Sequence, residues 1–298
     1  VPAVSSTVDT VIYLAYGDAS FVTDQQNMGG TWVSSFLGVW HLGDGTTLSL
    51  TDSSGGGNNG TNNGAAAIAG QITGGADFSP NDYIATPSQN PTNITISAWA
   101  KAGAASRAFI VNKNFSGGFV PYSLCAGGPN SPVIDGMAFY NGSWRNSGIT
   151  TDIRGDGLLH YVAGTYDGTT LKYYLDGVLD DSAGYVGSLP SNSVTTDIGR
   201  YASDAHYFTG ILDEVRIANT ARSIEWIAAE FKNQDDPATF YAIGAEGDLG
   251  IASIPPLWWL GPLWWNELII PLYWRTNPMS FDETDPTITG TGGRGICG

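Results

Sequence analysis

Between His160 and Gly177 the chain reads HYVAGTYDGTTLKYYLDG, a stretch that admits few foldings besides paired strands. Large apolar residues alternate with small or polar ones, through Tyr161, Ala163 and Thr165 and again through Leu171, Tyr173 and Leu175. Side chains of a strand point alternately to its two faces, so this period of two predicts strands with one covered face. Asp167-Gly168 joins the strands and Asp176-Gly177 closes the second. Asp-Gly supplies the positive φ of a tight two-residue turn, which makes the stretch a hairpin. From Gly210 the chain reads GILDEVRIANTARSIEWI, a strand that ends near Ile217 and gives way to helical sequence.

The same period predicts a strand carrying Trp40 and His41, and others near 83–85, 94–100, 108–112, 122–126, 133–140, 159–166, 171–175, 195–198 and 211–217. Short strands at regular spacing, divided by Gly, Asn and Asp turns, predict an all-β, antiparallel two-sheet sandwich. TDSSGGGNNGTNNGAAA, which starts at Thr51, reads as a loop with almost no packing capacity. One helix is predicted over 223–232, where Ile224, Ile227, Ala228 and Phe231 fall on a single apolar stripe. That stripe suits docking. Three regions follow: 1–37, with one good strand at 11–16 and a polar connector; 38–248, the sandwich; and 249–298, a Trp- and Pro-rich arm.

Forty glycines and a charged content of 13% suit many tight turns, and the length suffices for a large core. With 28 acidic and 12 basic residues the net charge is −16, which repels phosphate backbones and excludes nucleic acid as a partner. The acidic balance fits solubility outside the cell, or cation binding. All six glutamates lie after residue 213, whereas the 22 aspartates are spread throughout. Cys125 and Cys297, far apart, fit either a bond pinning the C-terminus or two inert thiols. The chain opens at Val1 without a signal sequence, as expected of a processed or excised piece of a longer precursor.

HYVAGTYDGTTLKYYLDG followed by GILDEVRI resembles the laminin-G-like branch of the concanavalin A-like lectin/glucanase fold. GVWHLGDG (38–45), DSSGGGNNGT (52–61) and NITISAWAK (93–101) support the resemblance. ARSIEWIAAEFKNQDDPATFYAIG (221–244) is similar to the short helix and closing strand of bacterial members, and TVIYLAYGDAS (10–20) to the last strand of a small β-domain that often precedes them. The resemblance implies a concanavalin A-like jelly roll with a short helix. It leaves function open, because such folds host lectins, adhesion modules, hydrolases and spacers alike.

Glycan hydrolysis requires two carboxylates about 5 Å apart in the retaining enzymes; the family's enzymes place them as Glu-x-Asp-x-x-Glu on one strand, and this sequence has no such pattern. Asp213-Glu214 is the nearest strand pair, and adjacent residues are expected on opposite faces. His41, His160 and His206 stand in separate segments with no metalloprotease or nucleophile motif. His41 reads as a hydrogen-bonded core or rim residue. No enzyme is predicted.

The family resemblance implies one cofactor, a structural calcium between an early loop and the last strand of the body. Asp52, Asn58 and Asp213 would supply its hard oxygen ligands. Otherwise Asp52 caps a turn and Asp213 pairs with Arg216 or a backbone amide. For glycans, ring faces stack on sugar C–H faces while amides and charges meet hydroxyls. Tyr140, Asn141, Trp144 and Arg145 in FYNGSWRNS form such a set, or else a hairpin tip covering a sheet edge.

In the arm, PLWW at 256–259 and 262–265 and PLYW at 271–274 form a repeated tetrad. Pro262, Pro271, Asn266 and Glu267 argue against a membrane span. Trp258, Trp259, Trp264, Trp265, Tyr273 and Trp274 are expected to anchor assembly with a neighbouring subunit or a larger scaffold, an intrachain flap or a membrane-interface anchor being the other readings. The whole reads as a non-catalytic structural or adhesion protein at a cell or virion surface whose sandwich contacts glycans or partner proteins, the alternatives being a stand-alone carbohydrate-binding module and, less favoured, a glycan-degrading enzyme.

Overall fold

Alternation in the nine-residue strand ITISAWAKA sets the geometry of the body. Ile94, Ile96, Ala98, Ala100 and Ala102 of this strand enter the main core, while Thr95, Ser97 and Trp99 face the other way. Strands are numbered along the chain, and this is β6 (Ile94–Ala102). It lies central in an eight-stranded sheet ordered β13 (Val178–Gly184), β12 (Thr170–Leu175), β11 (His160–Tyr166), β6, β17 (Gly210–Ala218), β4 (Gly74–Phe78) and β3 (Ala66–Ala69), with β1 (Phe36–Trp40) also paired to β17. A seven-stranded sheet packs on it, ordered β10 (Trp144–Asn146), β9 (Gly136–Tyr140), β8 (Val120–Cys125), β7 (Phe109–Lys113), β14 (Thr196–Ile198), β5 (Tyr83–Thr86) and β2 (Thr61–Asn63). A small pair, β15 (Arg200–Tyr201) and β16 (His206–Tyr207), completes the strands. Every pairing is antiparallel, so the expected sandwich is what forms.

The computed structural model describes residues 31–240 apart from 33, 44, 105, 106, 128–134 and 205, and these belong to one unit, 25–241. The strand expected at 11–16, Cys297 and the six aromatic residues of the arm lie outside the described residues. Cys125 is buried, its thiol directed to the Gly127 carbonyl at 3.4 Å.

Across the seven-stranded sheet, Ile84, Ile198, Val111, Leu124 and Met137 stand in register and form one wall of the core. Gly164 of β11 faces them. A Cβ there would lie 2.8 Å from Leu124 Cδ1 and 3.0 Å from Met137 Cβ, so the sheets approach closely only because the side chain is absent.

Both Asp-Gly turns exist, with different geometry. Asp176 and Gly177 have φ of 48° and 77° and form the two-residue link from β12 to β13, as a tight hairpin requires. The earlier link takes three residues, Asp167 to Thr169, with positive φ at Gly168 alone. The loop starting at Thr51 is shorter than expected, because β2 and β3 occupy 61–63 and 66–69. Their side chains are mostly exposed. Backbone pairing to β5 and β4 holds them, and that pairing leaves no apolar signature in the sequence.

Helix α1 (Ile224–Asp235) starts at the N-cap Ser223 and covers the outer face of the eight-stranded sheet. Ile227 and Phe231 pack against Trp99 and Tyr161, and Trp99 Nε1 donates to Gln234 Oε1 at 2.6 Å. Ile224, expected in the stripe, is 43% exposed at the first helical position, outside that contact. A further single turn, α2 (Pro237–Phe240), was not predicted. No helix among the described residues is long and apolar enough to cross a membrane. With one outer face under the helix, the outer face of the seven-stranded sheet is the other broad surface.

Candidate functional site

That surface is laid out by register. Asn146, Ala138, Ser123, Asn112, Asp197 and Ala85 stand opposite one another from β10 to β5. Residues paired across strands share a face, and this row alternates with the core wall of Met137, Leu124, Val111 and Ile198, so it faces outward. Its central members Ser123, Asn112 and Asp197 are polar yet have 0% exposure. Aromatic side chains pack on the same face, around Ala138 of this row.

The aromatic rings form a continuous run. Phe115 lies 6.2 Å from Tyr140, Tyr140 5.3 Å from Trp144, Trp144 6.1 Å from Tyr201, and Tyr201 5.3 Å from Phe109. His206 stacks on Phe109 at 6.1 Å. Tyr140 and Trp144 are a direct cross-strand pair in the β9–β10 hairpin, and Tyr201 comes from the small β15–β16 pair. At the open end, Phe115 and the neighbouring Phe119 are 44% and 39% exposed.

Beneath and beside the rings lies a polar set. Asp197 Oδ2 accepts from Arg200 Nε at 2.8 Å and Nη2 at 2.5 Å, and its Oδ1 accepts from Thr195 Oγ1 at 3.1 Å. Burial opposes the charge on Arg200, but the Asp197 carboxylate outweighs it and holds the guanidinium above its ordinary pKa. The guanidinium also lies 3.3 Å from the Tyr83 ring centroid. Asn112 Nδ2 donates to Asn114 Oδ1 at 3.4 Å, while among the described residues Asn112 Oδ1 and Ser123 Oγ have no partner. Buried polar atoms are nearly always paired, and these two are shut off from the surface, so contact with a ligand falls to the rings and the groups at their margin. Rings for C–H faces, together with amide, hydroxyl and carboxylate groups, can bind a polar ligand with apolar faces.

The four residues expected to bind ligand divide between two surfaces. Tyr140 and Trp144 belong to the ring run. Arg145 pairs with the core residue Phe139 and therefore points to the other side of its sheet. Its guanidinium lies 4.9 Å over Tyr185, whose hydroxyl oxygen accepts from Asn141 Nδ2 at 2.8 Å. There, Arg145, Asn146, Leu171, Ala183 and Tyr185 help to line a groove of about 220 Å³ at the sandwich edge. Trp144 lines it too. The sequence reading missed Asn112, Ser123, Asp197, Arg200 and Tyr201. A signal was present for one of them: Ser123 interrupts the otherwise apolar strand VPYSLC at an outward position, whereas Asn112 and Asp197 have polar neighbours, Lys113 and Thr196, in their own strands.

The residues expected to hold calcium are also divided. Asp52 is buried and ties its loop to β1: Oδ1 accepts from Val39 N (3.0 Å) and Ser54 N (2.9 Å), and Oδ2 from Ser54 Oγ (2.9 Å) and Asn58 N (2.9 Å). Asn58 Nδ2 donates to the Leu37 carbonyl at 2.7 Å. Asp213 instead accepts from Ile72 N at 2.9 Å and Glu214 N at 2.6 Å. Four chain donors occupy the lone pairs a metal would need from Asp52, so this carboxylate as placed does not fit a calcium ligand. Among the described residues, no three His, Cys, Asp or Glu side chains group as a metal site.

Asp213 and Glu214 do not point to opposite faces. The β6–β17 register shifts between Asp213 and Arg216, and Glu214 has φ of 50°. Such a bulge re-aims side chains. Asp213 pairs with Trp99 and Arg216 with Ser97, both outward, and Glu214 Oε2 accepts from Arg216 Nη2 at 2.5 Å. His41 Nδ1 lies 2.6 Å from Glu214 Oε1, so it is a hydrogen-bonded rim residue. Asp213 is 0% exposed and Glu214 3%.

Comparison with known proteins agrees with this architecture. The profile of one family, described as the Concanavalin A-like lectin/glucanases superfamily, matches residues 73–228. No curated protein sequence matches the chain. Among solved structures, domain 4 of AbnA, a GH43 extracellular arabinanase from Geobacillus stearothermophilus, in complex with arabinotriose, is 18% identical with a TM-score of 0.53, covering 65% of this chain and 97% of that domain. The binding domain of Paraclostridial Mosquitocidal Protein 1 is 14% identical with a TM-score of 0.49, covering 67% of this chain. The binding domain of botulinum neurotoxin DC in complex with SialylT is 13% identical with a TM-score of 0.48, at the same coverage. The chain spans about half of each toxin domain, 52%.

Proposed function

The chain belongs to the concanavalin A-like lectin/glucanases superfamily, and from that premise we propose that it is a non-catalytic binding module whose ring-covered sheet face contacts glycans. The observation that carries this reading is the continuous run of rings from Phe115 to Phe109 on the outer face of the seven-stranded sheet, exposed at Phe115 and bordered by Arg200 on Asp197. The arabinanase domain, similar in fold, binds arabinotriose. Two features support a binding role over a cutting one. The register row across the face holds a single carboxylate, Asp197, tied to Arg200, whereas glycoside hydrolysis uses two. The adjacent pair Asp213 and Glu214 is buried on the outer side of the other sheet.

On a glycan array the purified chain is expected to give saturable binding. Trp144→Ala is expected to weaken it about tenfold or more, as loss of a central aromatic anchor does. Binding that is indifferent to Trp144 would move the site elsewhere. Release of shortened sugars from a bound glycan would make the protein an enzyme instead.

The setting we propose is extracellular, at a cell or virion surface, with the Trp-rich arm anchoring the module to neighbouring copies or a larger scaffold. The repeated PLWW, PLWW and PLYW tetrads support the second part, because tryptophan and tyrosine dominate the energetics of interfaces. Removing residues 251–298 is then expected to convert oligomers to monomers in light scattering. An unchanged number of copies per particle would remove the assembly role and leave a stand-alone carbohydrate-binding module.

A further inference from the structure

A second pocket, of about 410 Å³, shares no residue with the ring run. Asn58, Ser88, Gln89, Asn90 and Asn219 line it, with Leu37 as its large apolar member. None of the lining residues ionises. Four carboxamides facing one space of this size are unusual for a mere gap between loops, since each brings two donor hydrogens and a carbonyl acceptor that must be satisfied.

Their present partners leave capacity unused. Asn58 Nδ2 donates to the Leu37 carbonyl at 2.7 Å. Asn90 Oδ1 accepts from Asn192 N at 3.2 Å and its Nδ2 donates to Ser88 Oγ at 3.4 Å, while Ser88 Oγ donates to the Asn192 carbonyl at 3.2 Å. Gln89 is only 5% exposed, yet among the described residues neither Nε2 nor Oε1 finds a partner. Its position does not drift, because the Gln89 carbonyl accepts from Tyr122 Oη at 3.2 Å. Behind the wall, Lys113 Nζ donates to Ser88 Oγ and to the Val194 carbonyl. That lysine has 0% exposure, and burial draws its pKa down to about 8. It is spent on holding Ser88 and the 194 loop rather than on meeting a ligand.

We propose that this pocket is a second binding site, for a neutral, hydroxyl-rich molecule of about the size of one sugar unit. Hydroxyls both donate and accept, so they match carboxamides on each count. A charged ligand would lose hydration and meet no opposite charge on the lining. The volume falls within the range typical of small-molecule sites.

The test is a ¹⁵N NMR titration of the full chain with neutral monosaccharides (glucose, galactose, mannose, xylose and arabinose), and with glucuronate as a charged comparator. At least one neutral sugar is expected to shift the side-chain amide signals of Gln89, Asn90 and Asn219 saturably. Gln89→Ala and the exposed-site variant Asn219→Ala are each expected to weaken that response about tenfold. Trp144→Ala is expected to leave it unchanged, which separates this pocket from the sheet face. The proposal is overturned if no neutral sugar moves those amides, if Asn219→Ala binds as well as the parent, or if glucuronate binds as tightly as the neutral sugars.

Discussion

Replacing Arg216 with methionine is expected to destabilise the protein by about 3–5 kcal/mol, the usual consequence of removing one partner from a buried ion pair. Arg216 lies on the outer face of the eight-stranded sheet, opposite Ser97. Its guanidinium joins two carboxylates, donating to Glu214 Oε2 at 2.5 Å and to Glu230 Oε1 of α1. Trp226 Nε1 also donates to Glu230, at 3.1 Å, and the Trp32 ring centroid is 5.0 Å from the guanidinium. Burial opposes the charge on Arg216, yet Glu230 and Glu214 hold its pKa above the ordinary value. Conversely Arg216 and His41 hold Glu214 below the usual carboxylate range against its burial. Methionine keeps much of the volume but leaves Glu214, 3% exposed, with His41 alone. The urea midpoint at neutral pH reads the loss. Adding Glu214→Gln and Glu230→Gln should recover part of it, since the cost lies in stranded charge. A single-variant loss below about 1 kcal/mol would place the network among weak surface pairs instead.

Asp213→Asn should change stability with the opposite sign, and only in one pH range. Asp213 is fully buried, and burial pushes its carboxyl up to about 7. The Ile72 amide pulls it down, and the Glu214 charge adds to the upward push. An unfolded aspartate loses its proton near pH 4. Between about pH 4 and 7 the folded state therefore holds a proton that the unfolded state has released, and stability falls as pH rises. Above pH 7 the penalty is complete, at roughly 4 kcal/mol from about 1.4 kcal/mol per unit. Below pH 4 it vanishes. Asparagine cannot ionise, so the variant should gain on the parent steadily from pH 4 to 7 and by a constant margin above. Urea unfolding of both proteins from pH 4 to 8 measures the difference. A gap independent of pH would show that the carboxyl titrates normally in the fold. Glu214 works in the reverse direction: its depressed pKa stabilises above pH 4.5 and is lost on acidification, which is why the difference between parent and variant is the informative quantity.

Both predictions depend on a feature the sequence hid. LDEVRI reads as regular alternation, which would send Asp213 and Glu214 to opposite faces. The bulge between Asp213 and Arg216 puts both on the outer side. It arises where β17 must serve β4 at its start, β1 at its end and β6 throughout, and no neighbouring residue records those partners. FYNGSWRNS failed more simply. Proximity in sequence suggested one cluster, but a strand sends Trp144 and Arg145 to different sides.

By itself the sequence determined what is local: where most of the long strands run, where Asp176-Gly177 turns the chain, and where Ser223 starts a helix. It did not tell faces apart in β11, whose Tyr161 and Ala163 lie on the outer side under α1 while Val162 and Tyr166 enter the core. Each of those local features rests on a period of two or on the φ of one or two residues, and both are readable within a few positions. The family resemblance extended this to the sandwich as a whole. Only the tertiary structure decided which outer face α1 covers and what gathers on the other. Asn112, Ser123 and Asp197 become one polar patch through pairing of β8, β7 and β14. Tyr201 and Trp144 meet beside that patch, around Ala138, from segments well apart in the chain. Register between distant strands is set by packing of the whole core, so a binding face composed by register exists only once the sheets have formed.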